Sequence, residues 1–301
     1  MEVAIITRER ENNLLNCISC IVKNSDLPKS IIIVKSKPFK NKRVFSQIRN
    51  LLISKGIKLK YRQIDDLGIS YSRNIAISMV KENIYAFIDD DEYCSANWIY
   101  TAKNILLKHS DVMALTGYKD IYYQDNYWNL VWKELCKEGE NAKGYVEFAT
   151  SSNTFYRTQF IKKNHLKYDN DFKTSSEDFV FSQKVKQANG RMWYSHRVRV
   201  KHQFRTSMIS IIKQWFDYGK TIYLFENKYI VKNTINPINI KRFIFQGIKT
   251  KNKNLILIPG LITVDLSLIC GYLYSALIIK HNSLKHYFKI IVLSMKDHFI
   301  L

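Results

Sequence analysis

Four acidic residues in a row, Asp89-Asp90-Asp91-Glu92, stand directly after the apolar run Tyr85-Ala-Phe-Ile88. Like charges packed this closely repel one another. Oxygen-rich clusters of this type suit Mg²⁺ or Mn²⁺, which keep several waters and take phosphate oxygens. The plain alternative is a solvated acidic turn that starts the next helix. A second pair, Glu177-Asp178, follows Thr174-Ser175-Ser176 and opens a segment with apolar Phe179, Val180, Phe181 and Val185. Ser175 or Ser176 is placed to cap a helix there, and carboxylates in its first turn suit the helix dipole. Standing alone, the pair therefore reads as plain helix-start chemistry. His202 ends the alternating stretch Val198-Arg-Val-Lys-His202, and a single histidine is by type more often structural than a metal ligand.

The elements that must position these groups alternate. Val3–Thr7, Ile31–Val34, Ile57–Tyr61 and Tyr85–Ile88 read as buried strands. Between them lie helical spacings: Leu14, Leu15, Ile18 and Ile21, then Phe39 to Ser54, then a helix capped by Ser70 and running to about Glu82. A βαβαβαβ rhythm implies parallel strands wound with helices, and ligands of such sheets bind beyond the carboxyl ends of the strands. The acidic run falls at that edge. Val112–Gly117 and Tyr145–Thr150 add two further strand-like stretches around a Tyr-rich segment, 118–132, which reads mostly as core and otherwise as a surface for stacking on a sugar or a base.

Taken in order, Gly68-Ile-Ser-Tyr-Ser-Arg73-Asn74, FIDDDE (87–92) with Trp98 following, Ser152-Asn153-Thr-Phe-Tyr-Arg157, YDNDF (168–172), SSED (175–178) and VKH (200–202) resemble the family 2 glycosyltransferases of GT-A fold. The resemblance spans roughly residues 3–205. It implies an α/β, Rossmann-like domain that moves a sugar from a nucleotide-sugar donor with inversion, using Mg²⁺ or Mn²⁺. It further implies Asp89 and Asp91 as the DxD, with Asp91 on the cation and Asp89 on the ribose or a metal-bound water. Arg73, with Asn74 beside it, would lie against the nucleotide or diphosphate, and Thr7 and Glu9 would start the nucleotide pocket. Glu177 would meet the acceptor, Asp178 would be the catalytic base, and His202 a metal or diphosphate contact. One position departs from the family pattern. After the second strand stands Lys35-Ser36-Lys37, where the family carries an Asp that reads uracil, and an ammonium cannot accept a hydrogen bond from a base N–H. The base of the donor is therefore open.

Composition narrows the class. With 47 Lys+Arg against 26 Asp+Glu among 301 residues, the formal charge of +21 favours anionic lipid or phosphate-bearing substrates. Abundant Lys, Ile, Asn and Tyr account for part of that excess through plain compositional bias. No helix-turn-helix, zinc-finger or Arg/Lys-Gly-aromatic pattern occurs, so a nucleic-acid partner is not expected. Five cysteines are too few for a disulfide scaffold, and Cys17-Ile-Ser-Cys20, lacking a second pair, reads as helix packing. MEVAIITRER does not read as a signal peptide and carries no Gly-rich phosphate loop, which disfavours the rival reading of a nucleotidyltransferase. The other rival, a basic membrane- or nucleic-acid-binding module, has no need of Asp89, Asp91 and Asp178.

Two domains are expected: a GT-A domain over 1–205 and a basic, apolar helical region over 206–301. The latter holds 13 Lys+Arg against 4 Asp+Glu. Its Leu255–Ile279 stretch has Asp265 as its sole formal charge and reads as interrupted by Pro259-Gly260. Lysines flank both ends, with Lys249, Lys251 and Lys253 before and Lys280, Lys285 and Lys289 after, so no positive-inside asymmetry marks a span. An interfacial contact with an anionic leaflet is expected, ahead of a soluble helical pair or a true span. The expected setting is cytoplasmic, peripheral on the inner face of the plasma membrane. There the chain would extend a glycan or lipid-linked acceptor of a bacterial surface polysaccharide.

Overall fold

The computed structural model describes residues 1–122, 126–230 and 255–278, and the chain divides into two compact units. The first comprises Met1–Tyr123 and Cys136–Phe204; the second comprises Gln124–Leu135 and Arg205–Leu301.

The first unit is built on a sheet of nine strands: β1 (Glu2–Thr7), β2 (Ser30–Lys35), β3 (Lys58–Gln63), β4 (Ile84–Phe87), β5 (Glu92–Cys94), β6 (Val112–Ile121), β7 (Lys143–Val146), β8 (Thr154–Arg157) and β9 (Arg191–His202). The order is β3-β2-β1-β4-β8-β6-β9-β5, with β7 also on β9. The first four strands are parallel, as the alternating rhythm implies; β8 then enters antiparallel between β4 and β6, so the sheet is mixed. Every residue of β2 is buried. Its Ile31 and Ile33 join one apolar cluster and its Ile32 and Val34 another, as expected of a strand covered on both faces.

The covering helices include α1 (Glu11–Ile21), α2 (Lys42–Ser54), α3 (Ile69–Met79), α4 (Trp98–Lys108), α6 (Thr158–Lys163) and α7 (Glu177–Gln187). Three expectations need correction. Helix α2 begins at Lys42, because Asn41 caps it by accepting from the Arg43 N–H. Helix α3 ends at Met79, and its N-cap is Gly68 at φ 106°, while Ser70 lies inside the helix and donates to the Phe172 carbonyl at 2.6 Å. A Cβ on Gly68 would meet Lys173 Cβ at 2.8 Å, so close approach of the 172–173 loop, as well as the left-handed φ, requires glycine. The strand expected at Tyr145–Thr150 is the short β7 instead.

Strand β9 organises the far half of the sheet. Gly117 of β6 pairs with Ser195 and Tyr118 with Arg199, so residues 196–198 form a bulge. A Cβ on Gly117 would lie 1.9 Å from the Val198 carbonyl oxygen, which explains the glycine. Asn153, fully buried at φ 53°, stitches this region together. It donates to the carbonyls of Tyr118 and Val198 at 3.0 and 3.1 Å and accepts from Trp98 Nε1 at 2.8 Å.

The second unit contains α5 (Tyr127–Cys136, of which it holds all but the last residue), α8 (Met208–Phe225) and α9 (Ile258–Ile278). Pro259 and Gly260 do not interrupt the apolar stretch. They occupy the first turn of α9, where a missing N–H costs nothing, and the helix continues unbroken for 21 residues. Helices α8 and α9 cross with backbones nearly touching: a Cβ on Gly219 would lie 1.9 Å from the Leu268 carbonyl oxygen, and one on Gly271 equally close to that of Phe216. Asp265 is buried in α9 with neither carboxyl oxygen hydrogen-bonded among the described residues, and burial pushes it up to about 7. Helix α9 is long and apolar enough to cross a membrane by length and composition, with a mean hydropathy of 1.8 over its apolar window. The flanking lysines Lys249, Lys251, Lys253, Lys280, Lys285 and Lys289 lie outside the described residues.

Candidate active site

The acidic run leaves β4 as a tight turn, closed by the Glu92 N–H to the Asp89 carbonyl at 3.1 Å and by the Asp89 N–H to Glu92 Oε2 at 3.1 Å. Its four carboxylates face different partners. Asp90, 1% exposed, accepts from Thr7 Oγ1 at 2.6 Å and lies 2.6 Å from Arg10 Nη2. Burial nevertheless lifts Asp90 to about 7. Asp91 pairs with Arg10 Nη1 and has His202 Nε2 3.3 Å from its Oδ1. Burial opposes its ionisation, and His202 and Arg10 outweigh burial, holding Asp91 well below the usual carboxylate range. The register of β5 on β9 sets Glu92 opposite His202, and the Gln203 N–H bonds the Asp91 carbonyl at 3.0 Å, which is how a residue 111 positions away reaches this turn.

Arg73 projects from the buried face of α3, 3% exposed, with its guanidinium 3.5 Å from Asp89 Oδ1 and paired with Glu177. It lies over the rings of Phe87 and Tyr168 at 5.8 and 5.6 Å, so its charge faces two aromatic rings. Burial alone would make Arg73 easier to deprotonate; Glu177 and Asp89 reverse that and keep it charged. Glu177 and Asp178 begin α7, with Ser176 at the N-cap in the left-handed region at φ 61° and no side-chain cap bond. Both carboxyls are shifted upward, chiefly by burial, with Arg73 pulling the other way. The plain role as helix-start acids is not the whole story, since Arg73 ties Glu177 to the same cation that faces Asp89.

Sequence reasoning assigned no role to three residues of this site, and one of them, Lys119, carried no signal at all. Lys119 of β6 pairs with Glu92 at 3.2 Å and donates to Ser152; the surrounding carboxylates keep it charged, and its charge in turn favours the ionised form of Asp178. Its partner lies 27 positions away, beyond any local pattern. Ser152 Oγ in turn donates to Glu92 at 2.9 Å. Arg10 lay in view at the end of β1, on the edge where ligands of such sheets bind.

Of the other residues expected here, Thr7 supports Asp90. Glu9 is exposed and paired with Lys37. Asn74 uses its amide on the loop leading to α7, donating to the Tyr168 carbonyl at 2.9 Å and accepting from the Tyr168 N–H at 2.8 Å. Lys35 is wholly buried: its ammonium donates to the Arg8 carbonyl and lies 3.5 Å from Glu11, so it braces the β1–α1 loop from beneath. Trp98 and Cys17 pack in the core.

The arrangement fits a divalent cation of the hard, water-retaining kind. Asp89, Asp90, Asp91, Glu92, Glu177 and Asp178 gather six carboxyls about three basic side chains, Arg10, Arg73 and Lys119, and His202 Nδ1 is buried without a hydrogen bond. Among the described residues no three His, Cys, Asp or Glu side chains close into a cage. Asp91 and His202 alone converge, which suits an ion that completes its shell with water and phosphate oxygens.

Residues 2–185 match the family model described as Glycosyl transferase family 2. The chain belongs to that family. Its fold is GT-A: the crystal structure of S. aureus TarS residues 1–349 superposes with a TM-score of 0.55 at 16% identity, covering 90% of this chain and 81% of that one. The same TarS fragment in complex with UDP-GlcNAc gives 0.54 at 16% identity, with 90% and 82% covered. Against the longer TarS structure the score is 0.52 at 15% identity, and this chain spans 54% of that one. No curated protein matches the chain.

Proposed function

We propose that this family 2 member is an inverting, divalent-cation-assisted transferase that moves a sugar from a nucleoside-diphosphate donor to a glycan or lipid-linked acceptor. The observation that carries the reading is Arg73, set between Asp89 of the acidic turn and Glu177 of the pair that starts α7. One guanidinium thereby joins the phosphate-handling edge of the sheet to the carboxylates facing the acceptor. Arg73 would meet the diphosphate, where its fork matches paired phosphate oxygens. Asp178 would accept the acceptor hydroxyl's proton as that oxygen bonds to C1 and the C1–oxygen bond to the diphosphate breaks, its electron pair leaving with the diphosphate. A single displacement from the face opposite the leaving group inverts the anomeric centre. Glu177 would orient the acceptor, and Lys119 would keep Asp178 ionised. Asp91 and His202 would hold Mg²⁺ or Mn²⁺, which when bound neutralises charge on the departing diphosphate.

The UDP-GlcNAc complex of TarS supports a nucleotide-sugar donor. The base of this chain's donor is left open, because Lys35, at the end of β2, supplies no acceptor. For the setting we propose the inner face of the plasma membrane, in surface polysaccharide assembly. In support, Ile258, Ile262, Leu266 and Leu277 line one exposed face of α9 at helical spacing among the described residues, and 206–301 carries a net +9. The test is a panel of nucleotide sugars screened by thermal shift with Mn²⁺ present, followed by transfer assays with the donors that bind. A donor that binds wild type and is turned over in the presence of acceptor, but not by Asp178→Asn, is expected. Absence of any nucleotide-sugar binding would overturn the reading.

A further inference from the structure

Three basic side chains stand among the acidic groups, and they differ in freedom. Arg73 is 3% exposed, Lys119 is 21% exposed, and Arg10 is 55% exposed. Arg10 also occupies the most telling place. One nitrogen of its fork lies 2.6 Å from Asp90 Oδ1 and the other pairs with Asp91 Oδ2, while Asp91 Oδ1 faces His202. The guanidinium thus bridges two carboxylates at the point where Asp91 and His202 converge. A divalent cation on Asp91 would face a full positive charge within a few ångströms, so the guanidinium opposes its binding there.

The backbone beneath Arg10 is fastened. Lys35 holds the Arg8 carbonyl from below, Glu11 accepts from the N–H groups of Lys40 and Asn41 at 2.7 and 3.0 Å, and the Arg10 carbonyl starts α1 by accepting from the Leu14 N–H. The loop is therefore a fixed base from which a solvent-facing side chain can swing. We infer that Arg10 is a resident counter-ion of the acidic turn, its charge beside Asp91 opposing a divalent metal until the metal displaces it. The inference rests on the proposed cation site and adds to it a competitor built into the chain. It also accounts for how a turn with four adjacent carboxyls stays folded before any metal arrives.

The experiment is Mn²⁺ binding to the full chain without donor, read by the electron paramagnetic resonance of free Mn²⁺ and by metal-induced thermal shift. Wild type, Arg10→Gln and Arg10→Lys are compared. Arg10→Gln removes the competing charge and should bind Mn²⁺ at least tenfold more tightly. It should also melt at lower temperature than wild type without metal and recover with it. Arg10→Lys keeps the charge without the fork that spans both carboxylates and should fall between the two. Mn²⁺ affinity equal to or below wild type in folded Arg10→Gln, or in Arg10→Lys if the first variant does not fold, would overturn the inference. So would no Mn²⁺ binding by any of the three at millimolar concentration. Donor binding and transfer are measured separately, so glycosyl transfer without metal competition at Arg10 would sink this inference while leaving the proposed function standing.

Discussion

Asp178 and Lys119 make the sharpest predictions at the residue scale. Asp178→Asn keeps the shape and removes proton acceptance, so transfer should fall by ~10²-fold or more while donor binding survives, the usual scale for a lost general base. A donor-binding isotherm beside the turnover assay separates the two effects, and equal turnover would return Glu177 and Asp178 to helix-start chemistry alone. The pH dependence follows in sign. Burial raises Asp178 above an ordinary aspartate, so the acid side of the rate profile should lie above the usual carboxylate range, with activity lost as pH falls and the base takes a proton. Lys119 opposes that rise, so Lys119→Met should move the acid limb to still higher pH. An unmoved limb in a folded Lys119→Met protein would remove Lys119 from this role. Asp91→Ala should abolish metal-supported transfer without unfolding the chain, as activity and circular dichroism together would show. Asp89, Asp91, Glu177 and Asp178 were noticeable because each stands beside an apolar run, and His202 because it ends an alternating strand pattern. Lys119 was not, since it is one Lys among many in a Lys-rich chain and its meaning lies in a cross-sheet partner.

Individual elements rise or fall on a few internal fastenings. Asn153→Ala would leave two carbonyls and the Trp98 indole N–H without their partner inside the sheet, and a loss of about 3 kcal/mol or more is expected from denaturant melts. Asp265 works in the opposite sense. Its carboxyl is held protonated up to about 7 in the folded chain against an ordinary 3.8 when unfolded, so it costs stability progressively as pH rises between those values. Asp265→Asn should raise the melting temperature clearly at pH 8 and little at pH 4, and an equal change at both would show the carboxyl to be paired. Strand β2 was legible because an unbroken Ile-Ile-Ile-Val run is what a strand covered on both faces requires. The start of α3 was not, because a close approach of the 172–173 loop to Gly68, a long-range event, outweighed the local signal of Ser70 as a cap. Pro259-Gly260 misled for a related reason: a proline that breaks a helix interior is harmless in a first turn, and only the position of the helix start distinguishes the cases.

For the whole molecule, the two units pose separate questions. The family match ends at residue 185, within the first unit, while the TarS superposition, covering 90% of the chain, reaches into the second as a likeness of fold alone. An exposed apolar face on α9 and a basic surplus predict co-sedimentation of the full chain with vesicles containing anionic lipid, with weaker binding to neutral vesicles. High salt should release only part of it, since apolar insertion persists once charge is screened. Binding to neither vesicle would assign the α9 face to protein packing. The parallel half of the sheet could be read from alternation alone. The insertion of β8 and the pairing of β9 with three strands could not, because strand order beyond the βαβ units depends on partners far apart in sequence.

The bulge at 196–198 also sets which changes in gene length the fold can absorb. It splits β9 into two stretches whose pairing with β6 is registered independently, before Ser195 and after Arg199. A gained or lost codon inside the bulge changes the size of a loop pressed on Gly117 and leaves both stretches in step. The same event between Arg199 and His202 would turn each side chain to the opposite face, presenting a neighbour of His202 to Asp91. Descent can therefore alter the length of this strand at one place and must keep count at the next.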